Sequence, residues 1–263
     1  MRFRKYHGLG NDYLVLEDGS LDPDRVVSIC DRHRGLGSDG ILERVPSEQA
    51  DVGLRIWNPD GSVAEKSGNG LRIFARWMVE HQNAPEDLTV ELPCGVVRCQ
   101  VDGDDVTVQM GQASFDPSRI PATEEMVFMP KPVGDVMLPL TAVGVGNPHC
   151  VVFLGTELDA LPWRSWGAVL ENSPLFPNRT NVQFARVIDA HTIEARIWER
   201  GAGETQASGS SACAIAAAAV KLDHCEGTLR IRMPGGDLEV TVGRDFSLIL
   251  RGPVEYVGEL SCP

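Results

Sequence analysis

The chain has 263 residues, 43% of them apolar and 23% charged, so it can bury a sizeable core without cross-links and is neither disordered nor fibrous. Twenty-four basic residues against 37 acidic ones leave a net charge of −13, which disfavours nucleic acid and anionic membrane surfaces as general partners while leaving room for a local cationic pocket. No run of 18 apolar residues exists to span a bilayer, and the length favours two domains or one large α/β unit.

The opening MRFRKYHGLGNDYLVLE lacks the apolar stretch of a signal peptide, so a cytoplasmic protein is expected. Residues 22–34 read as a helix and ILERV (41–45) as a strand, with Gly-Leu-Gly-Ser-Asp-Gly (35–40) between them. That string matches a dinucleotide fingerprint literally. The fingerprint needs strand before and helix after, the reverse of the order here, so it is rejected. LRIWN (54–58) reads as a strand, SGNG (67–70) as a turn, and Leu71, Phe74, Ala75 and Met78 as the stripe of an amphipathic helix. LTVELP (88–93) and VVRCQVDGDDVTVQM (96–110) alternate with period 2 around Gly/Asp turns, as hairpins do. Residues 112–140, with Pro117, Pro121, Pro130, Pro132 and Pro139, read as a linker. Beyond them the order repeats: ARIWE (195–199), SGSS (208–211), the apolar helix ACAIAAAAVKL (212–222), LRIRMP (229–234) and the hairpin DLEVTVGRDFSLIL (237–250).

The repetition is literal. Residues 55–111 laid over 196–252 without a gap share 13 of 57 positions, among them Arg55/Arg196, Ile56/Ile197, Trp57/Trp198, Ser67/Ser208, Gly68/Gly209 and Pro93/Pro234. GLGNDYLVL (8–16) echoes GVGNPHCVVF (144–153) at a slightly smaller offset. An α+β fold of two pseudo-symmetric domains follows. Seven cysteines, an odd number without a CxxC pair, make a disulfide framework or a zinc site unexpected.

Ser67 and Ser208 stand where the two equivalent helices begin, and serine caps helices well. If a duplicated fold aims both helix starts at one ligand, their free N–H groups would hold a carboxylate. Opposed acid and base groups would then suit a two-sided proton transfer. Asn11, Asn58, Asn69, Asn147, Asn181 and the Glu199-Arg200 pair are the polar side chains near these starts that could grip an amino acid.

Six blocks carry a family resemblance: KYHGLGNDYLVL (5–16), RHRGLGSDGIL (32–42), WNPDGSVAEKSGNGLRIFARW (57–77), GNPHCVVF (146–153), RTNVQF (179–184) and ERGAGETQASGSSACA (199–214). In this order they resemble diaminopimelate epimerase along nearly the whole chain. The resemblance implies two homologous domains, each a mixed sheet wrapped around a central helix. It divides the chain into residues 1–113 and 114–251, with the tail 252–263 packing back on the first domain and the active site in the cleft between the two. It implies cofactor-independent inversion at an amino-acid α-carbon, LL- to meso-diaminopimelate, in lysine and cell-wall biosynthesis. No metal or cofactor takes part, and a homodimer is compatible. By the same resemblance Ser67 and Ser208 are the catalytic positions. Asn11, Asn58, Gly68, Asn69, Asn147, Asn181, Glu199, Arg200, Gly209 and Ser210 would bind substrate.

The family carries cysteine at both catalytic positions. A thiol of pKa near 8.5 supplies a few per cent thiolate at pH 7, whereas a serine hydroxyl needs an adjacent base. Three explanations compete: replacement of both cysteines, a paralogue whose serines only bind, or a serine assisted by His7, His149 or Lys66. Lys66 and Ser211 also depart from the pattern, which favours divergence. The alternatives to the epimerase are therefore a relative isomerising or dehydrating another small acid, and a catalytically silent amino-acid-binding protein.

Overall fold

The computed structural model describes residues 1–262. They form two compact units. The first is Met1–Gln109 with the C-terminal segment from Arg251 onward, and the second is Met110–Leu250.

The first unit runs β1 (Arg2–Gly8), β2 (Asn11–Asp18), α1 (Pro23–Cys30), β3 (Ile41–Val45), β4 (Val52–Trp57), β5 (Val63–Ala64), α2 (Gly68–Gln82), β6 (Asp87–Leu92) and β7 (Gly95–Asp102). The chain leaves this unit within β8 (Asp105–Gln112). The second unit holds β9 (Met129–Val133), β10 (Val136–Gly144), β11 (Pro148–Phe153), α3 (Trp163–Glu171), β12 (Asn181–Asp189), β13 (Thr192–Glu199), β14 (Gly203–Thr205), α4 (Gly209–Lys221), β15 (Thr228–Met233) and β16 (Gly236–Val242). The chain returns within β17 (Ser247–Pro253) and ends in β18 (Glu255–Ser261), which pairs with β1.

The strand ladders repeat. In the first unit β1 is antiparallel to β2, β2 parallel to β3, β3 antiparallel to β4, β4 antiparallel to β5 and parallel to β6, and β6 antiparallel to β7. In the second, β10, β11, β12, β13, β14, β15 and β16 follow the same series of senses. The two parallel steps are bridged by α1 and α2 in one unit and by α3 and α4 in the other, since a parallel pair needs a crossover. The offset seen in the sequence survives at element starts: 209 − 68, 228 − 87 and 236 − 95 are all 141. The fold is thus α+β, built from two copies of one mixed-sheet design.

Both central helices are buried, for different reasons. In α2 the stripe Leu71, Phe74, Ala75 and Met78 faces inward on β1, β2 and β7, and the helix stops at Asn83 in the left-handed region (φ 53°). In α4 every residue from Ser211 to Ala219 is buried, against β10, β11, β12, β15 and β16. Alanine makes that possible, because it has the highest helix propensity and a side chain small enough to pack on all sides.

One expectation is corrected. Residues 112–140 are no linker: they contribute β9 and most of β10, and Ile120, Met126, Val133 and Leu138 lie in the core around Trp163 and Phe184. The prolines misled because proline reads as punctuation. Pro130 and Pro132 lie on β9 two residues apart, so both missing N–H groups can fall on the side away from β10. Pro139 precedes Leu140, where β10 begins to pair with β11.

Candidate active site

In the first unit the chain enters α2 through Ser67, whose backbone is extended (φ −138°, ψ 121°) and whose Oγ accepts the Gly70 N–H at 3.0 Å. Gly68 and Asn69 follow as the first helical residues, with N–H groups that the helix itself does not satisfy. The Tyr13 hydroxyl, on β2, lies 3.1 Å from Ser67 Oγ. Asn69 is 97% buried (3% exposed); its Nδ2 donates to Asn11 Oδ1 at 2.9 Å, and its own Oδ1 has no partner among the described residues. Asn11 Nδ2 in turn donates to Asp39 Oδ2 at 2.9 Å. Behind them lies an ion-pair cluster. Arg32 bridges Asp12 and Asp39 at 2.6 Å each, and Lys5 reaches Asp12 at 2.7 Å. Burial alone would raise the Asp12 carboxyl, but hydrogen bonds from Arg32 and Lys5 outweigh it and hold it below the usual carboxylate range.

Ser67, Asn69 and Asn11 are therefore linked at one helix start. Asn58 is not in that network: it sits in the β4–β5 turn, where its Nδ2 donates to Ser62 Oγ at 2.9 Å. His7, a candidate helper for serine, accepts from the Gly10 N–H at 3.5 Å and lies 3.8 Å from Glu255.

In the second unit Ser208 occupies the equivalent cap (φ −146°, ψ 123°), with Gly209 and Ser210 in the first turn of α4. Its Oγ accepts the Ser211 N–H at a longer 3.5 Å. Ser211 Oγ accepts from Gln183 Nε2 at 3.0 Å, and the same amide nitrogen donates to His149 Nδ1 at 3.0 Å. His149 Nε2 lies 2.8 Å from Asn147 Oδ1 and is therefore the protonated nitrogen. Gln183, His149 and Ser211 are wholly buried. Burial first, then the nearby Arg200 charge, push the His149 imidazole down to about 3, against the pull of Gln183. The ring is neutral, with both nitrogens engaged.

Asn181, on β12, donates to the Pro148 carbonyl at 3.0 Å and accepts the Arg200 N–H at 3.0 Å, so it ties the Asn147 turn to the Glu199-Arg200 turn. The Arg200 guanidinium donates to the Asn178 carbonyl, and Glu199 accepts from Thr205 Oγ1 at 2.7 Å. Below this turn the buried Glu171 accepts from the Gly201 N–H and from Trp198 Nε1.

Tyr13, Asp39, Gln183 and Glu171 were missed from sequence. Two had a signal. Tyr13 lies two residues from Asn11 on β2, and Gln183 two from Asn181 on β12, so each pair shares one side of its strand. Among the described residues no three His, Cys, Asp or Glu side chains are grouped to hold a metal, and no helix is long and apolar enough to cross a membrane.

The model of the family described as diaminopimelate epimerase matches residues 3–116 and 141–257. "Diaminopimelate epimerase 2" of Nostoc sp. is 43% identical, over 99% of this chain and 96% of its own length. The diaminopimelate epimerase of Pelotomaculum thermopropionicum is 37% identical, over 98% and 97%. Among solved structures, a hydroxyproline epimerase from Agrobacterium vitis with bound trans-4-hydroxy-L-proline aligns with a TM-score of 0.76 at 14% identity, covering 99% of this chain and 91% of that one. A PhzF-family phenazine biosynthesis protein of Bacillus anthracis aligns at 0.73 and 18% identity, covering 100% and 99%. At such identities the structures establish the fold, while the sequence matches establish the kinship: this chain belongs to the diaminopimelate epimerase family of isomerases.

Proposed function

We propose that the protein is a cofactor-independent epimerase acting on diaminopimelate, converting the LL to the meso isomer by two-sided transfer of the α-proton. The observation that carries the reading is the pair of equivalent helix caps. Ser67 and Ser208 each place a hydroxyl on a first-turn N–H, beside Gly68-Asn69 in one unit and Gly209-Ser210 in the other. A helix start favours an anion through its free N–H groups and partial positive charge, which suits the substrate α-carboxylate. The reading requires the two caps to act on opposite faces of one α-carbon. One oxygen takes the proton as a base, the other returns a proton, and the configuration inverts. Asn147, Asn181 and the Glu199-Arg200 turn would bind the remainder of the substrate, with Asn11, Asn58 and Asn69 on the other side. In this reading it is a soluble cytoplasmic enzyme of lysine and cell-wall biosynthesis.

The serine hydroxyls set the rate. A cysteine at each position would be a few per cent ionised at neutral pH, and serine is not, so turnover is expected to be slow. One observation favours a second reading, a binding protein that no longer inverts its ligand. His149, the imidazole beside Ser208's network, carries its proton on the nitrogen facing Asn147, and its other nitrogen accepts from Gln183; with no free lone pair and a basicity depressed by burial, it offers Ser208 no base.

The test is α-proton exchange by NMR in heavy water with LL-diaminopimelate, for the protein as it stands and for the Ser67→Cys/Ser208→Cys double variant. Slow wash-out of the α-proton with growth of the meso isomer, rising by orders of magnitude in the double variant, is the expected result. Binding without exchange in either protein would establish the second reading. Neither binding nor exchange would remove diaminopimelate as the ligand.

A further inference from the structure

The rejected Gly-Leu-Gly-Ser-Asp-Gly string has a different use. The segment 35–40 lies against the end of α1, where Gly35 N–H donates to Asp31 and the Leu36 and Gly37 N–H groups donate to the Ile29 carbonyl. It then runs to β3, and the Asp39 N–H donates to the Asp12 carbonyl at 2.9 Å. Gly40 is needed for space: a Cβ there would stand 2.5 Å from the Trp57 carbonyl oxygen and 2.7 Å from the Tyr13 ring, whose hydroxyl meets Ser67.

Asp39 Oδ1 accepts from Arg32, so its Oδ2 is left to accept both Asn11 Nδ2 and the Asp12 N–H, at 2.9 and 3.1 Å. A carboxylate only accepts, whereas an amide can present either end. With Asp39 as neighbour, Asn11 must turn its NH2 outward to the loop and its oxygen to Asn69. Asn69 must then donate, and the group it leaves over is an oxygen, the buried and unpartnered Oδ1 at the start of α2.

We propose that Asp39 is a positioning residue that sets, through Asn11, the amide orientation of Asn69, so that the start of α2 presents a hydrogen-bond acceptor rather than a donor. The effect on ligand rests on the reading that Asn11 and Asn69 face substrate; the orientation itself does not.

The experiment follows the side-chain amide protons of Asn11 and Asn69 by NMR in the ligand-free protein, alongside calorimetric titration with LL-diaminopimelate. Asp39→Ala removes the acceptor; Asp39→Asn keeps one oxygen, which can serve Asn11 or Arg32 but not both. Asp31→Ala is the control, since it removes the caps on the His33 and Arg34 N–H groups of the same loop and leaves Asn11 its partner. Exchange of both side-chain amides should quicken about tenfold or more in Asp39→Ala, by less in Asp39→Asn, and little in Asp31→Ala. Diaminopimelate affinity should fall in the same order, by about tenfold in Asp39→Ala, the worth of one hydrogen bond to a charged group. Unchanged Asn11 and Asn69 amides in Asp39→Ala overturn the proposal, as does an equal response in Asp31→Ala, which would mark a loop-stability role. Amides that respond to Asp39→Ala while the wild type binds no diaminopimelate leave the relay standing and overturn the ligand.

Discussion

The first turns of α2 and α4 share a backbone and differ in what braces them. Gly10 and Gly146 take the same positive φ, 86° and 88°, and each leads into an asparagine, Asn11 or Asn147. Three residues on, Tyr13 reaches the Ser67 cap directly, whereas His149 in the corresponding place turns to Asn147 and Gln183. Behind α2 stands a partly exposed ion-pair cluster; behind α4 stands a buried, neutral chain of amide, imidazole and hydroxyl. Gly70 in one turn is matched by Ser211 in the other, and Ser211 supplies the acceptor that Gln183 needs. Duplication kept the peptide geometry and let the two electrostatic environments diverge.

The sharpest way to separate the two sides is pH. Below about 6.5 the unfolded chain binds a proton at His149 that the folded chain refuses until about pH 3. Stability is unaffected by this site above pH 6.5 and falls by about 1.4 kcal/mol per unit on the way down. Between pH 6.5 and 4.5, before most carboxylates protonate, the loss is about 2–3 kcal/mol, seen as a falling urea midpoint. His149→Gln should flatten that slope. A slope as steep in the variant as in the wild type would show that the imidazole is not held neutral.

Exchanging the third residues of the two turns comes next. Ser211→Gly leaves a buried Gln183 N–H unpaired and puts glycine inside a helix, a loss of about 2–3 kcal/mol. In Gly70→Ser the new Cβ would lie 3.2 Å from Leu42 Cδ2 and from Ser67 Oγ, a crowding cost of about 1–2 kcal/mol. Thermal unfolding of the two variants orders them; equal, negligible losses would mean that the turns are interchangeable after all.

The smallest expected effect is on the caps. Ser67→Ala and Ser208→Ala should each cost about 1 kcal/mol. Ser67 should cost more, because its bond to the helix N–H is 3.0 Å against 3.5 Å and it also meets Tyr13. Denaturant midpoints of the single variants measure the ranking, and a larger loss at Ser208 would reverse it.

Much of this was legible in one dimension. The repeat predicted two copies of a fold, and the glycine-serine turns predicted two capped helices, because period, propensity and capping are local properties of consecutive residues. The proline-rich stretch 112–140 was misread because composition does not say which N–H groups a strand leaves unpaired. Asn58 and Asn69 looked alike as polar residues near a helix start, yet only Asn69 joins the network, since Asn58 closes its own turn with Ser62.

By itself the amino-acid sequence determined the duplicated architecture, the family and the two positions at the helix starts, through identities and spacings that need no third dimension to be read. Only the tertiary structure decided the environment of each position. Gln183 meets His149 across 34 residues because β11 and β12 run parallel in one register, and Asp39 meets Asn11 across 28 because β2 and β3 do likewise. Register is set by the packing of whole faces, and it fixes which nitrogen of an imidazole carries the proton and which end of an amide is left unpaired.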